Sequence, residues 1–292
     1  MKILIILGHN RFTGVNTWAL DLIKSLTKYK YEVDVEIRKD YKFIPHYTPF
    51  ISLLSDHVSN IIISQPMFYN NYDVIFLFYN THEHLIPDNC KTIFIIHGTD
   101  FLNYQPIKQH NRCVGISNQI KQLFNCDELI VNGVDLSLFK PSTIRKKLKI
   151  LLYLDRHKIP EPLNLACKYL NIKIIHAKGT YTQSNIVDLM SQVDAVVGYG
   201  RSVYEGMASG KPVLVYGNYG CDGWVKEYDF VDILNNNCNG SYYKRKLDVD
   251  DLIGLLTLYN TEDGNINRRL ASTFVNYTHM GVKFHNLIQG LF

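Results

Sequence analysis

The sequence predicts an α/β protein built from doubly wound sheets, and three observations carry that prediction. Short apolar runs alternate with segments of helical period. The runs are mostly continuous in their apolar character, as strands covered on both faces are. The alternation also occurs twice, on either side of a basic stretch at 136–149 that contains Pro141 and no sheet-like run. A chain of 292 residues has room for two such Rossmann-like domains.

The elements follow in order. KILIIL (2–7) reads as a buried strand. TGVNTWALDLIKSLTKY (13–29) places Val15, Trp18, Leu22 and Leu26 at helical spacing. YEVDVEIR (31–38) alternates strictly and reads as a second strand. DVIFLFYN (73–80) and KTIFIIHG (91–98) are strands of the parallel type, and VGISNQIKQLF (114–124) passes from a strand end into a helix. ELIVNGVD (128–135) is a strand that ends in a turn. Beyond the basic stretch come KILLYL (149–154), a helix near 162–170, IKIIHA (172–177), a helix near 184–192, DAVVGY (194–199), a helix from Ser202 and KPVLVYG (211–217). The segments 248–260 and 265–289 read as helical. The change of texture sets an N-terminal domain over 1–141 and a C-terminal domain over 142–275, followed by a helix over 276–292.

Bulk properties exclude several classes. With 46% hydrophobic and 20% charged residues the chain is an ordinary globular protein that needs no staples. A net charge of +4 is too small to argue for a nucleic-acid binder. Six scattered cysteines without a C-x-x-C pair point to a reducing compartment rather than a disulfide framework. The opening MKILIILGHN holds a six-residue apolar run, too short for a signal-peptide core or a membrane span, so a cytoplasmic location is expected. The sequons at Asn239 and Asn276 carry little weight without a secretion signal.

The stretch VGYGRSVYEGMASGKPVLVYG (197–217) concentrates the chemistry. A buried strand runs into a glycine-rich turn, then into a short helix closed by Gly210 and Pro212. Ser202 and Glu205 have the S-x-x-E spacing of a capping box, which gives Glu205 a purely local role. A second reading follows from position. The helix starts at the carboxyl end of a strand in an open α/β sheet, where ligands bind. Its free N–H groups and dipole suit phosphate, and Gly198 and Gly200 permit close backbone approach. A carboxylate there would be repelled by phosphate but accepts well from a ribose diol, so Glu205 points to a nucleotide diphosphate.

These residues resemble the E-G-F-G-x-x-x-x-E-A-M-A-x-G-x-P-V-V segment of retaining GT-B glycosyltransferases of family 4 (glycosyl transferases group 1), through Gly198, Gly200, Glu205, Met207, Ala208, Gly210, Pro212 and Val213. The first Glu of that segment is replaced by Val197. TGVNTWALDLIKSL resembles the family's first glycine-containing helix start, with Gly14 kept; VGISNQIKQLF keeps Ser117; VNGVDLSLFKP is similar to N-G-V-D-x-x-x-F-x-P. IIHGTD carries a His-Gly pair, and LYLDRHK resembles a strand ending in G-R, with Asp155 in place of Gly and Arg156 retained. The family's following Lys falls near Glu161, leaving Lys158 as the nearby basic substitute.

The resemblance implies the GT-B architecture, two Rossmann-like doubly wound domains facing across a cleft, with the last helix returning to the first domain. It implies hexosyl transfer from a nucleotide diphosphate sugar (a UDP-sugar or GDP-sugar, with no cofactor or metal) to a hydroxyl, with retention. Candidate catalytic residues are Arg156, Lys158 and His97. Candidate residues for the nucleotide sugar are Gly14, Tyr181, Gly200, Arg201, Ser202, Val203 and Glu205. A guanidinium such as that of Arg156 or Arg201 holds phosphate oxygens by paired hydrogen bonds. Glycan, lipid-linked or small-molecule acceptors are implied, nucleic acid is not expected, and peripheral membrane contact stays open.

Other signals are poorer. HEH (82–84) lacks metal-site spacing, and DVDD (248–251) reads as a helix cap. The Tyr- and Lys-rich 28–43 and YYKRK (242–246) read as solvated faces, with membrane or polyanion contact as the other reading. Two alternatives stand beside the transferase. Val197 and the missing Lys favour a catalytically degenerate relative that binds a nucleotide or acts as a partner subunit. The third is a transferase acting on DNA or another polymer.

Overall fold

Continuous β-branched and aliphatic runs make the strands here, and Thr, Ser, Asp and Gly set where helices begin and end. The computed structural model describes residues 1–8, 13–38, 49–63, 68–78, 86–98, 110–155, 157–177, 183–217 and 219–292, without the side chains of 183 and 184. Two units emerge, Met1–Gly133 with Tyr277–Phe292, and Val134–Asn276.

In the first unit β1 (Lys2–Leu7) leads to α1 (Gly14–Thr27), then β2 (Glu32–Ile37), α2 (Pro49–Ser55), β3 (Asn60–Ile63), β4 (Val74–Leu77), β5 (Thr92–Ile96), β6 (Arg112–Gly115), α3 (Asn118–Leu123) and β7 (Glu128–Leu129). The strands form a parallel sheet in the order β3-β2-β1-β4-β5-β6-β7. The order reverses between β1 and β4, the signature of a doubly wound sheet. Thr13 caps α1 by accepting from the Asn16 N–H, and the buried face of α1 presents Trp18, Leu22 and Leu26 to the sheet core. Val15, read with them, is only partly buried.

The polar face of β2 departs from the sequence reading. Asp34 and Glu36 are buried, not solvated. Asp34 accepts from the Tyr72 hydroxyl and the Asn60 amide, each at 2.8 Å, and lies 3.2 Å from the Lys2 ammonium. Glu36 pairs with Arg38 at 2.7 Å, and Tyr69 accepts from the Arg38 guanidinium. A short 3-10 turn, Tyr69–Asn71, brings these phenols over the strand, so a charged face satisfies itself internally.

The second unit contains β8 (Ile150–Leu154), α4 (Glu161–Tyr169), β9 (Lys173–Ala177), α5 (Gln183–Gln192), β10 (Ala195–Gly198), α6 (Arg201–Ala208), β11 (Val213–Gly217), β12 (Gly220–Trp224), α7 (Phe230–Asn235), α8 (Val249–Thr257) and α9 (Glu262–Phe274). Its sheet has the order β12-β11-β10-β8-β9, with β12 antiparallel at one edge. The order reverses between β8 and β10. The segment read as one helix over 265–289 is two, α9 and α10 (Tyr277–Gln289), broken where Val134 bridges to Asn276. Helix α10 belongs to the first unit: Phe284 packs on Trp18 and Phe76, and the Ser25 hydroxyl donates to the Tyr277 carbonyl.

The division falls at Gly133/Val134, not at 141/142. The basic stretch is not a linker. Arg268 of α9 donates to the carbonyls of Leu136, Phe139 and Ala208. Arg145 pairs with buried Asp194 at 2.9 Å, and Asp194 also accepts from the Lys149 and Ile150 N–H groups. These bonds fix 136–150 to the body of the second unit. Among the described residues no helix is long and apolar enough to cross a membrane.

Candidate functional site

The carboxyl edge of β8 and β10, at the reversal of the five-stranded sheet, gathers the polar groups of the second unit. Leu154 lies opposite Gly198 in register, so the turns after the two strands are neighbours. The β10 turn passes through Tyr199 to Gly200, which takes φ 57° and ψ −128° and stands just before α6. Only glycine adopts that backbone readily. Its N–H donates to the Cys238 carbonyl at 2.8 Å, which ties the turn to the segment 236–240. Gly198 is required for a different reason: a Cβ there would lie 2.9 Å from the Ser202 Cβ and 3.1 Å from the Leu154 carbonyl.

Helix α6 therefore starts one residue earlier than expected, and the Ser202/Glu205 capping box is absent. Gly200 precedes the helix with no side-chain cap. The Ser202 hydroxyl donates instead to the Leu154 carbonyl at 3.3 Å, joining the helix start to β8. Val203 is fully buried, and its N–H donates to the Gly200 carbonyl at 3.1 Å, closing the first turn. Glu205 accepts from Arg201 Nε at 2.8 Å, with side-chain exposures of 12% and 9%. Helical Cα–Cβ bonds tilt toward the N-terminus, so the carboxylate is carried back to the first turn of α6, where the Gly200 turn lies.

Asp155, directly after β8, is a hub that sequence reasoning passed over as a mere replacement. Its carboxylate accepts from the Tyr153 hydroxyl at 3.0 Å, the His157 N–H at 3.0 Å and the Tyr199 hydroxyl at 3.4 Å. His176 Nε2 lies 3.0 Å from the Asp155 carbonyl, and its ring stands edge-on to Tyr153. Burial, followed by the Asp155 charge, pushes the Tyr153 phenol far above its usual range, so it is a fixed donor. The signal available in the sequence was positional: Tyr153 and Tyr199 stand at the ends of KILLYL and DAVVGY, two runs read as strands. Lys158 is exposed beyond this hub. Arg156 and Tyr181 lie outside the described residues, as does HEH (82–84). Val197, in place of the family's first Glu, is fully buried within β10 and packs in the sheet core.

The other two candidates stand at the carboxyl edge of the seven-stranded sheet. Gly14 opens α1, and a Cβ there meets no described atom within 4 Å, so packing does not demand glycine. His97 follows β5, half-buried, with its ring edge-on to Trp18 at 4.8 Å and beside Phe78 at 5.7 Å. DVDD acts as a cap: Asp248 and Asp251 form a reciprocal capping box at the start of α8. Among the described residues no group of three or more His, Cys, Asp or Glu is arranged to hold a metal ion.

No family model and no curated protein matches the chain. Solved structures do. A glycosyltransferase from Rickettsia africae is 15% identical, with 99% of this chain and 98% of that one covered and a TM-score of 0.64. An α-glucosyltransferase in complex with UDP and a 13-mer DNA containing an HMU base is 11% identical, with 99% of each chain covered and a TM-score of 0.61. Acinetobacter baumannii MurG is 14% identical, with 99% of each covered and a TM-score of 0.54. At such identities the likeness establishes the fold, which is GT-B.

Proposed function

We propose that the protein transfers a hexosyl group from a nucleotide diphosphate sugar to a hydroxyl acceptor, with retention and without a metal. The observation that carries this reading is the Gly198–Gly200 turn feeding α6, with the Glu205 carboxylate drawn back to the first turn, at the point where the five-stranded sheet reverses its order. One structural neighbour named as a glycosyltransferase, and another, an α-glucosyltransferase solved with UDP, support the same class.

Each residue then has a task. Glu205, oriented by Arg201, accepts from the ribose hydroxyls, and Tyr181 is assigned to the base. The turn at Gly200 and the backbone of Ser202 and Val203 face the diphosphate at the positive end of the α6 dipole. Charge grows on the leaving phosphate as the glycosidic bond stretches, and cations in a water-poor site stabilise it. Arg156 is assigned that role, with Lys158 in support. The acceptor hydroxyl gives its proton to the departing phosphate. Gly14 and His97 are assigned to the transferred sugar and the acceptor.

The acceptor class extends beyond glycans, lipid-linked sugars and small molecules. One structural neighbour was solved on DNA containing an HMU base, so the expectation against nucleic acid has no support from that neighbour, and a hydroxyl-bearing polymer is a second reading.

Calorimetry with UDP, GDP and ADP, followed by a hydrolysis screen of the matching nucleotide sugars, tests the proposal. One nucleotide is expected to bind in the micromolar range, about −8 kcal/mol. Arg156→Ala and Glu205→Gln are each expected to lower sugar release at least about tenfold, a loss of ~1.4 kcal/mol of transition-state stabilisation. Binding by none of the three nucleotides overturns it; binding without turnover leaves the degenerate reading. Hydroxymethylated and plain DNA in the same screen separate the polymer acceptor from the rest.

A further inference from the structure

Cys113 and Cys126 have no part in the site above, yet they are placed for chemistry with each other. Their sulfurs lie 3.2 Å apart, 13 residues distant in sequence. Rigid backbone holds both. Cys113 is in β6, and its N–H donates to the Asp127 carboxylate at 2.7 Å. Cys126 follows Asn125, which turns the chain back at φ 49°, and its own N–H donates to the Lys121 carbonyl at 2.9 Å. The next residues pair β7 to β6, with Glu128 opposite Val114.

We propose that Cys113 and Cys126 form a reversible intramolecular disulfide under a hydroperoxide oxidant, an oxidation site that staples α3 to the edge of the seven-stranded sheet. The sulfurs need to approach by only about 1 Å to reach bonding distance. The hydrogen bond from the Cys113 thiol draws the Cys126 thiol below its usual range, against the effect of burial, while Cys113 itself is pushed well up. The Cys126 thiolate attacks one peroxide oxygen and the O–O bond breaks, giving a sulfenic acid and hydroxide. The Cys113 sulfur then attacks the Cys126 sulfur, the S–O bond breaks, and that oxygen leaves as water with a proton. Two electrons pass from the two thiols to one peroxide, which becomes two waters. Elsewhere, the Cys90 thiol is turned to the Asn70 side-chain oxygen at 3.5 Å. Burial drives the Cys167 and Cys221 thiols up to about 11 and the Cys238 thiol higher still, so they stay protonated and inert.

The test treats the reduced chain with one equivalent of hydrogen peroxide and maps peptides without reductant. A mass loss of about 2 Da, a single Cys113–Cys126 cross-linked peptide and full reversal by dithiothreitol are expected. Cys113→Ser should stop at a sulfenic acid on Cys126 that dimedone traps. Cys126→Ser should leave Cys113 a thiol at the same dose. A bridge between other cysteines, linkage only between chains, or an unbridged wild type that retains all free thiols overturns the proposal.

Discussion

Gly200 and Gly14 were both assigned to the nucleotide sugar, and the structure separates them. Gly200 holds a positive φ that side chains rarely adopt, so Gly200→Ala should cost about 1–3 kcal/mol in urea unfolding. An added methyl in Gly14→Ala meets no described atom within 4 Å, so its stability should stay within about 0.5 kcal/mol of the parent, while turnover should fall with Gly14 assigned to the transferred sugar. The Arg201–Glu205 pair is the second residue-scale case. Both side chains are about nine-tenths covered, so removing one partner takes a charge-assisted hydrogen bond away from a largely buried ion. Arg201→Met is expected to lose ~3 kcal/mol, and adding Glu205→Leu should recover part of that loss in a double-mutant cycle.

Lys211 gives a dependence on pH. It is fully buried, donates to the Val193 carbonyl at 2.8 Å, and burial lowers its ammonium to about 8, against the opposing pull of Asp194. Between pH 8 and the unfolded value near 10.5 the unfolded chain holds more protons at this group. Its contribution therefore opposes folding below pH 8 and the opposition fades as pH rises through that window. The stability of the parent relative to Lys211→Met should climb from pH 8 to 10 by about 2 kcal/mol in chemical denaturation; a flat difference would show that the ammonium is not desolvated.

Elements were legible where one principle set them. The runs at 2–7, 150–154 and 213–217 are strands because every residue can be apolar and still be covered on both faces. The cap at Asp248 was legible from spacing, and Asp248→Ala should cost about 1 kcal/mol by thermal unfolding. The same reasoning failed at Ser202, because Gly200 took the position before the helix and the β8 carbonyl took the hydroxyl. Edge strand β12 was missed altogether: GCDGW has no alternation, and its two glycines read as turn residues. The helix α7 has no side-chain cap bond and a short apolar stripe, too brief for a period to register. Of the site, the glycine turn before α6 could be read locally, whereas the Asp155 hub joins residues in and just after three strands and was invisible to local patterns.

For the whole molecule, the separate location of the Glu205 turn and the α1 edge in two units makes ligand effects local in the first instance. A bound nucleotide at 100 times its dissociation constant adds about 2.7 kcal/mol to the fold it binds. Amide exchange with UDP present should slow at residues 198–205 and in β8, while the central strands β1 and β4 exchange as before; uniform slowing would contradict a site built on α6.

The crossing of α10 from the end of the chain back to α1 has a bearing on biosynthesis. Residues 134–276 leave the ribosome before 277–292, so the enclosed unit holds its full complement of strands while the earlier sheet still lacks the helix carrying Met280, Phe284 and Ile288. The nascent chain thus waits with an oily flank of α1 uncovered, and the unit translated first is the last to mature. Protease challenge of released chains truncated after residue 276 would display that inversion as a resistant middle fragment beside a digestible beginning.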